Sequence, residues 1–95
     1  MNKEIINKLK ELKPILKERY GIEEFAVFGS VARGEDLENS DIDIVILKIK
    51  KKSFSLRLKA IKFLESTFNK KIDLGYFDSM KTFVKRVIQK DMVYV

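Results

Sequence analysis

Two aspartates separated by one residue are the feature of this sequence most suggestive of chemistry. Asp41 and Asp43 flank Ile42 at the start of a β-branched, strand-like run, residues 41–47. In a strand, residues two apart point to the same face, so the two carboxylates are predicted to project side by side. Neighbouring carboxylates repel unless a cation or proton lies between them, and Mg²⁺ prefers oxygen ligands. The pair indicates either a magnesium site or, more simply, a turn cap beside a solvated carboxylate.

A Gly-Ser pair follows another apolar run, residues 25–28. Gly29 allows a close approach of the backbone to a phosphate. Ser30 offers a hydroxyl and, if a helical turn begins there, amide donors aimed at an anion. Arg33 lies one helical turn further on, where its guanidinium could steady the loop or contact a phosphate. An ordinary turn between a strand and a helix is the alternative interpretation.

The composition restricts the available chemistry. The 95 residues include no cysteine and no histidine, so disulfides, thiolate metal sites and imidazole bases are excluded. Proton transfer and metal binding must therefore rest on carboxylates. The length predicts a single domain, residues 1–95. Without a membrane-length apolar run or a signal-peptide pattern, we expect no membrane association and a cytoplasmic location.

Hydrophobic periodicity predicts an α+β fold, a small mixed β-sheet flanked by helices. The first helix is expected to end at Gly21 and to be kinked or divided by Pro14. A middle helix, capped by Ser53 or Ser55 and ended by Asn69, is expected to turn five apolar side chains inward: Phe54, Leu58, Ile61, Leu64 and Phe68. Strands are predicted over residues 25–28, 41–47 and 72–77, with a basic loop over 48–52. A last helix capped by Asp78 or Ser79 is expected to carry an apolar stripe: Met80, Phe83, Val84, Val87 and Ile88. Residues 92–95 are expected to add a short edge strand or to pack as a tail.

Charge is unevenly distributed along the chain, whose formal net charge is +6. Five acids and no base lie within residues 35–43, whereas nine Lys and Arg residues accompany a single glutamate within residues 48–71. The basic stretch is either a solvated lysine-rich surface or a field that attracts polyphosphates or an acidic partner. Direct nucleic-acid binding is not expected, because aromatic residues do not interleave with these cations on a recognisable platform.

The segment from Gly29 to Glu35, followed by Ser40-Asp41-Ile42-Asp43, resembles the signature of the minimal nucleotidyltransferases of the DNA polymerase β superfamily. This resemblance implies a nucleotidyltransferase, palm-like fold that binds ATP through Gly29, Ser30 and Arg33. It also implies two Mg²⁺ ions held by Asp41, Asp43 and a third carboxylate on a neighbouring strand. Asp73, the only acid in a later strand-like apolar run, is the position that fits.

The same resemblance implies a partner. Similar small proteins act as antitoxins that transfer AMP from ATP to a tyrosine of a HEPN-domain toxin. Two alternatives remain: a transferase acting on a small molecule, whose relatives usually carry a further substrate domain, and a non-catalytic module that binds and neutralises a partner protein. The presence of all three aspartates favours the enzyme over the non-catalytic module.

Overall fold

The computed structural model describes residues 1–95 as four strands and four helices. The architecture is a four-stranded mixed sheet with helices on both faces, which confirms the predicted α+β class. The elements, in chain order, are α1 (Lys3–Tyr20), β1 (Ile22–Phe28), α2 (Gly29–Arg33), β2 (Ile42–Ile49), α3 (Phe54–Phe68), β3 (Ile72–Tyr76), α4 (Thr82–Gln89) and β4 (Val93–Tyr94).

The strands lie in the order β3-β2-β1-β4. β1 runs antiparallel to both β2 and β4, whereas β2 and β3 are parallel. A parallel pair needs a crossover connection, which α3 provides. The structure confirms the short edge strand at the C-terminus. It also corrects the basic loop, because Lys48 and Ile49 still belong to β2.

Each face of the sheet has its own apolar core. The larger core packs α1 and α3 against alternate residues of the central strands, and it includes Leu9, Leu16, Ile44 and Leu64. The smaller core lies under α4 and includes Ala26, Val45 and Ile88. Residues two apart in a strand share a face, so Asp43 lies on the α4 side with Val45, while Ile42 is fully buried on the other side.

The first helix is continuous, so its predicted division at Pro14 was wrong. Asn2 accepts a hydrogen bond from the amide of Ile5 at 3.2 Å, and Gly21 ends the helix with φ 72°. Pro14 is exposed, so water can reach the backbone carbonyl that its missing N–H leaves free. No helix of the protein, α1 included, is long and apolar enough to cross a membrane.

The inner face of α3 agrees with the prediction at Ile61, Leu64 and Phe68, which are buried or packed against the larger core, but not at Phe54 and Leu58. Ser53 does cap the helix, accepting from the amide of Leu56 at 3.3 Å. However, the buried positions are Ala60 and Leu64, whereas Phe54 is 74% exposed and Leu58 is 40% exposed. The sequence-based prediction of the inner face favoured large apolar side chains. The small Ala60, which is fully buried, is the residue that lets the helix approach the sheet closely.

The last helix begins later than predicted, at Thr82, with Lys81 as its N-cap residue. Asp78 and Ser79 instead belong to a 3₁₀ turn over Phe77–Ser79, and Asp78 forms an ion pair with Lys52 at 3.0 Å. Only Ile88 of this helix is buried; Phe83 and Val87 remain mostly exposed. The predicted apolar stripe therefore only partly faces the core.

Candidate active site

Strand register brings the candidate site together at the start of β2. Asp43 is the register partner of Phe28, the last residue of β1, and of Asp73 in β3. Register partners in neighbouring strands have side chains on the same face and adjacent to each other. The two carboxylates therefore lie next to each other, and the Gly29 turn begins immediately beside them.

Gly29 lies against the carboxylate of Asp43. A Cβ built at this glycine would overlap Oδ2 of Asp43 and would lie only 3.2 Å from its Cγ. Its φ of 71° also belongs to the left-handed region, which side chains disfavour. Both the backbone conformation and the space beside Asp43 require glycine here.

The short helix α2 starts directly after this turn. No side chain caps its N-terminus, and the helix ends at Gly34 with φ 74°. Val31 and Ala32 are buried, so they anchor the helix, while Ser30 remains half-buried at its start. This arrangement leaves amide donors of the first turn uncapped by any side chain, as an anion site would need.

The acidic loop between α2 and β2 is held from two sides. The Asn2 side chain donates a hydrogen bond to Asp36 at 2.9 Å, and the Leu37 amide donates to Ser40 Oγ at 2.8 Å. Lys70 donates to the backbone carbonyls of Leu37 and Glu38. Sequence reasoning missed Asn2 and Lys70 as positioning residues, because nothing in their local sequence indicates contacts more than thirty positions away.

Asp41 immediately precedes β2 rather than lying within it. Its side chain is exposed, and it borders an open cleft of about 340 Å³ that Lys70 and Lys71 also line. Asp73 is exposed as well, whereas Asp43 is half-buried. Asp43 is thus the central carboxylate, with Asp73 beside it and Asp41 at the solvent edge.

The environment of Asp43 disfavours its charge. Burial raises the pKa of this carboxyl above its ordinary value, and repulsion from Asp73 and Asp41 raises it further. Arg33 opposes these effects and lowers the pKa of Asp43. A half-buried carboxylate that two like charges repel is one whose charge a bound cation would stabilise.

Arg33 is occupied by acidic neighbours. Its Nε donates to Glu35 at 3.1 Å and its Nη1 donates to Asp91 at 3.3 Å. These hydrogen bonds raise the pKa of Arg33, with Glu35 the larger cause. The guanidinium thus steadies the loop and ties it to the C-terminal segment, one of the two roles expected from the sequence.

The donor set suits a hard divalent cation, because every ligand available at this face is oxygen. No group of three or more acidic side chains is close enough to form a ready-made metal cluster. Mg²⁺ sites of this chemistry usually combine one or two carboxylates with substrate phosphates and water. The paired Asp43 and Asp73 fit that pattern, with the remaining ligands to come from the nucleotide.

The chain belongs to the nucleotidyltransferase domain family, whose model matches residues 9–95. Its relatives include MJ1379 of Methanocaldococcus jannaschii, an inferred protein adenylyltransferase, which is 41% identical over 97% of this chain and 95% of its own. The protein adenylyltransferase MntA of Thermococcus cleftensis is 34% identical over 84% of this chain and 81% of its own.

A solved toxin–antitoxin structure with AMP-PNP matches with a TM-score of 0.75 and 25% identity, covering 93% of this chain and 69% of that one. The family and these relatives identify the protein as a nucleotidyltransferase, an enzyme whose substrate is a nucleotide. They confirm the resemblance drawn from the Gly29 and Asp41 motifs, and the fold expected from it.

Proposed function

We propose that this protein transfers AMP from ATP to a hydroxyl group of a partner protein. The observation that carries the proposal is the strand register, which aligns Gly29, Asp43 and Asp73 at one end of the sheet. The Gly29 turn places the uncapped first turn of α2 next to two carboxylates that would bind a cation. Residues 1–95 form the domain that performs this reaction.

Asp41, Asp43 and Asp73 are proposed to hold two Mg²⁺ ions. When bound, the ions would neutralise the triphosphate and lower the pKa of the attacking hydroxyl. Asp43 would contribute to both sites, since it is the register partner of Asp73 and is repelled by both Asp73 and Asp41. Asp41, which is exposed, is free to move toward the nucleotide.

Gly29 and Ser30 are proposed to bind the phosphates through the uncapped first turn of α2. Arg33 is proposed to contribute positive charge at the same end of the site. Because Arg33 already bonds Glu35 and Asp91, its contact with a phosphate requires exchange of one of these partners. Both ion pairs are exposed, so solvent screens them and either partner can be exchanged readily.

The reaction is an in-line substitution at the α-phosphorus. The acceptor oxygen forms a bond to phosphorus as the bond to the bridging oxygen of the β-phosphate breaks, and pyrophosphate leaves with that electron pair. Asp73 accepts the hydroxyl proton directly or through water, since it is the exposed carboxylate beside Asp43. Positioning and charge stabilisation account for most of the acceleration, so no histidine base is needed.

The acceptor is proposed to be a tyrosine of a HEPN-domain toxin, which would make this protein its antitoxin. Support comes from relatives named protein adenylyltransferase and from the toxin–antitoxin structure with AMP-PNP. Exposed apolar residues, Phe83 and Val87 on α4, provide a surface that a protein partner could cover.

The test is mass spectrometry of the partner protein after incubation with ATP and Mg²⁺. We expect one added AMP on a tyrosine of the partner, and no addition with Asp43→Asn or when the acceptor tyrosine is changed to phenylalanine. Glu11→Gln, a remote exposed carboxylate on α1, serves as the matched control and should transfer normally. A stable complex without any transfer would instead support the non-catalytic module.

A further inference from the structure

Three open clefts join at the end of the sheet away from the aspartates. Their volumes are about 330, 530 and 520 Å³. Lys50 and Lys51 line the first and second clefts, while Arg19, Tyr20 and Leu56 line the second and third. Neighbouring clefts thus share lining residues, and we call the three clefts together the basic groove, which lies between α1, α3 and the end of β2.

The basic groove is lined by cations that have no acidic partner. Seven of them form no ion pair within the protein: Lys17, Arg19, Lys48, Lys50, Lys51, Lys59 and Lys62. Glu18 and Glu23 are the only acids of the second cleft, the third has none, and Asp78 in the first is paired with Lys52. Unpaired charges of one sign along a concave surface concentrate anions there.

Aromatic side chains accompany these cations, although they lie apart in the sequence. Tyr20 and Phe63 pack with ring centroids 5.7 Å apart, and the Arg19 guanidinium lies over both rings. Tyr76 lines the first cleft. Phe54 lines none of the three clefts but is 74% exposed at the start of α3, two residues before Leu56 of the second and third clefts. Cations already lie over the rings of Tyr20, Phe63 and Tyr76, so the exposed Phe54 is the ring on which a base could stack. Cations beside an exposed aromatic ring are a combination that single-stranded nucleic acids favour.

We propose that the basic groove binds single-stranded nucleic acid. A protein partner is disfavoured because lysine is depleted at protein–protein interfaces, and a small molecule because its sites are mostly enclosed and apolar. The strand rise places Ile49 about 20 Å from Asp43, so binding leaves the active site free. This inference goes beyond the proposed function and stands independently of it.

The experiment measures fluorescence anisotropy of a short, labelled single-stranded RNA of mixed sequence with the full-length protein. Two double variants are compared: Lys50→Gln with Lys51→Gln in the groove, and Lys10→Gln with Lys81→Gln outside it. All four lysines are exposed, and both variants change the formal net charge from +6 to +4, since each removes two lysines. Circular dichroism verifies that each variant is folded.

We expect the groove variant to bind about 25-fold more weakly at 0.1 M salt, because each lost phosphate contact removes about fivefold there. The slope of log K against log salt should fall by about 1.4. Phe54→Ala should weaken binding about tenfold, since stacking on an exposed ring is lost. The control variant and Asp43→Asn should bind like the natural protein.

Three results would overturn the proposal. If the two double variants weaken RNA binding equally, the RNA is attracted by the net charge of the protein and not by the basic groove. Displacement of the RNA by polyglutamate at an equal concentration of charge would indicate a site for acidic proteins. Absence of RNA binding at 0.1 M salt would exclude nucleic-acid binding by the basic groove. None of these results would bear on AMP transfer, which Asp43→Asn tests separately.

Discussion

Replacing Gly29 with alanine is expected to disable the enzyme with only moderate loss of stability. A left-handed φ of 71° costs alanine about 1–2 kcal/mol, and the new Cβ would overlap Oδ2 of Asp43. Because Asp43 is half-buried, its side chain can move away instead of deforming the core. A displacement of about 1 Å at a reacting group costs on the order of 100-fold in rate. We therefore expect about a 100-fold lower kcat per folded molecule.

Gly21→Ala is the matched control. Gly21 has nearly the same φ, 72°, but the nearest atom to its added Cβ is Cβ of Lys50 at an ordinary 3.5 Å. Both variants should lose about 1–2 kcal/mol of unfolding free energy, which lowers Tm by about 5–15 °C in a domain of this size. Only Gly29→Ala should lose activity when rates are normalised to the folded fraction. Equal rates for the two variants would refute the argument that Gly29 provides the space for Asp43.

Two further predictions concern charge and capping. Asp43→Asn should raise Tm at pH 7 by about 2–4 °C without divalent cations, because neighbouring like charges cost about 0.5 kcal/mol. Because the pKa of Asp43 is raised, ionisation of Asp43 destabilises the folded state as pH rises through that pKa. The gain in Tm of Asp43→Asn should therefore disappear below the ordinary aspartate range. A constant gain in Tm at all pH values would contradict this explanation. Asn2→Ala and Ser53→Ala should each cost about 1 kcal/mol in urea unfolding as lost N-caps. Only Asn2→Ala should also raise KM for ATP, since it releases Asp36 and the acidic loop, and equal KM values would argue against that anchoring role.

Much of the fold could be predicted because its local signals agree with its tertiary structure. Gly21 and Asn69 end their helices in the left-handed conformation, and the run after Asp41 is a buried strand. Periodicity failed where exposed and buried apolar residues look alike in sequence. Phe54 and Phe83 appear suited to a core but face solvent, whereas Ala60 is fully buried.

The candidate site was predictable in composition but not in arrangement. The motif predicted Asp41, Asp43 and Gly29 as members of one site, and the parallel pairing of Asp43 with Asp73 agrees with the choice of the third carboxylate. The contacts of Arg33 with Asp91 and of Asn2 with Asp36 could not be predicted, because they join segments that only the folded chain brings together. The aromatic residues near the basic groove could not be predicted for the same reason.

The most direct test of the central claim uses ATP labelled on either the α- or the γ-phosphate, with Mg²⁺ and the partner protein. We expect label from the α-phosphate alone to appear on the partner, with release of pyrophosphate, and no transfer with Asp43→Asn or Asp73→Asn. Glu11→Gln should transfer label at the natural rate. Transfer of the γ-phosphate would identify a kinase and contradict the proposed substitution at the α-phosphorus.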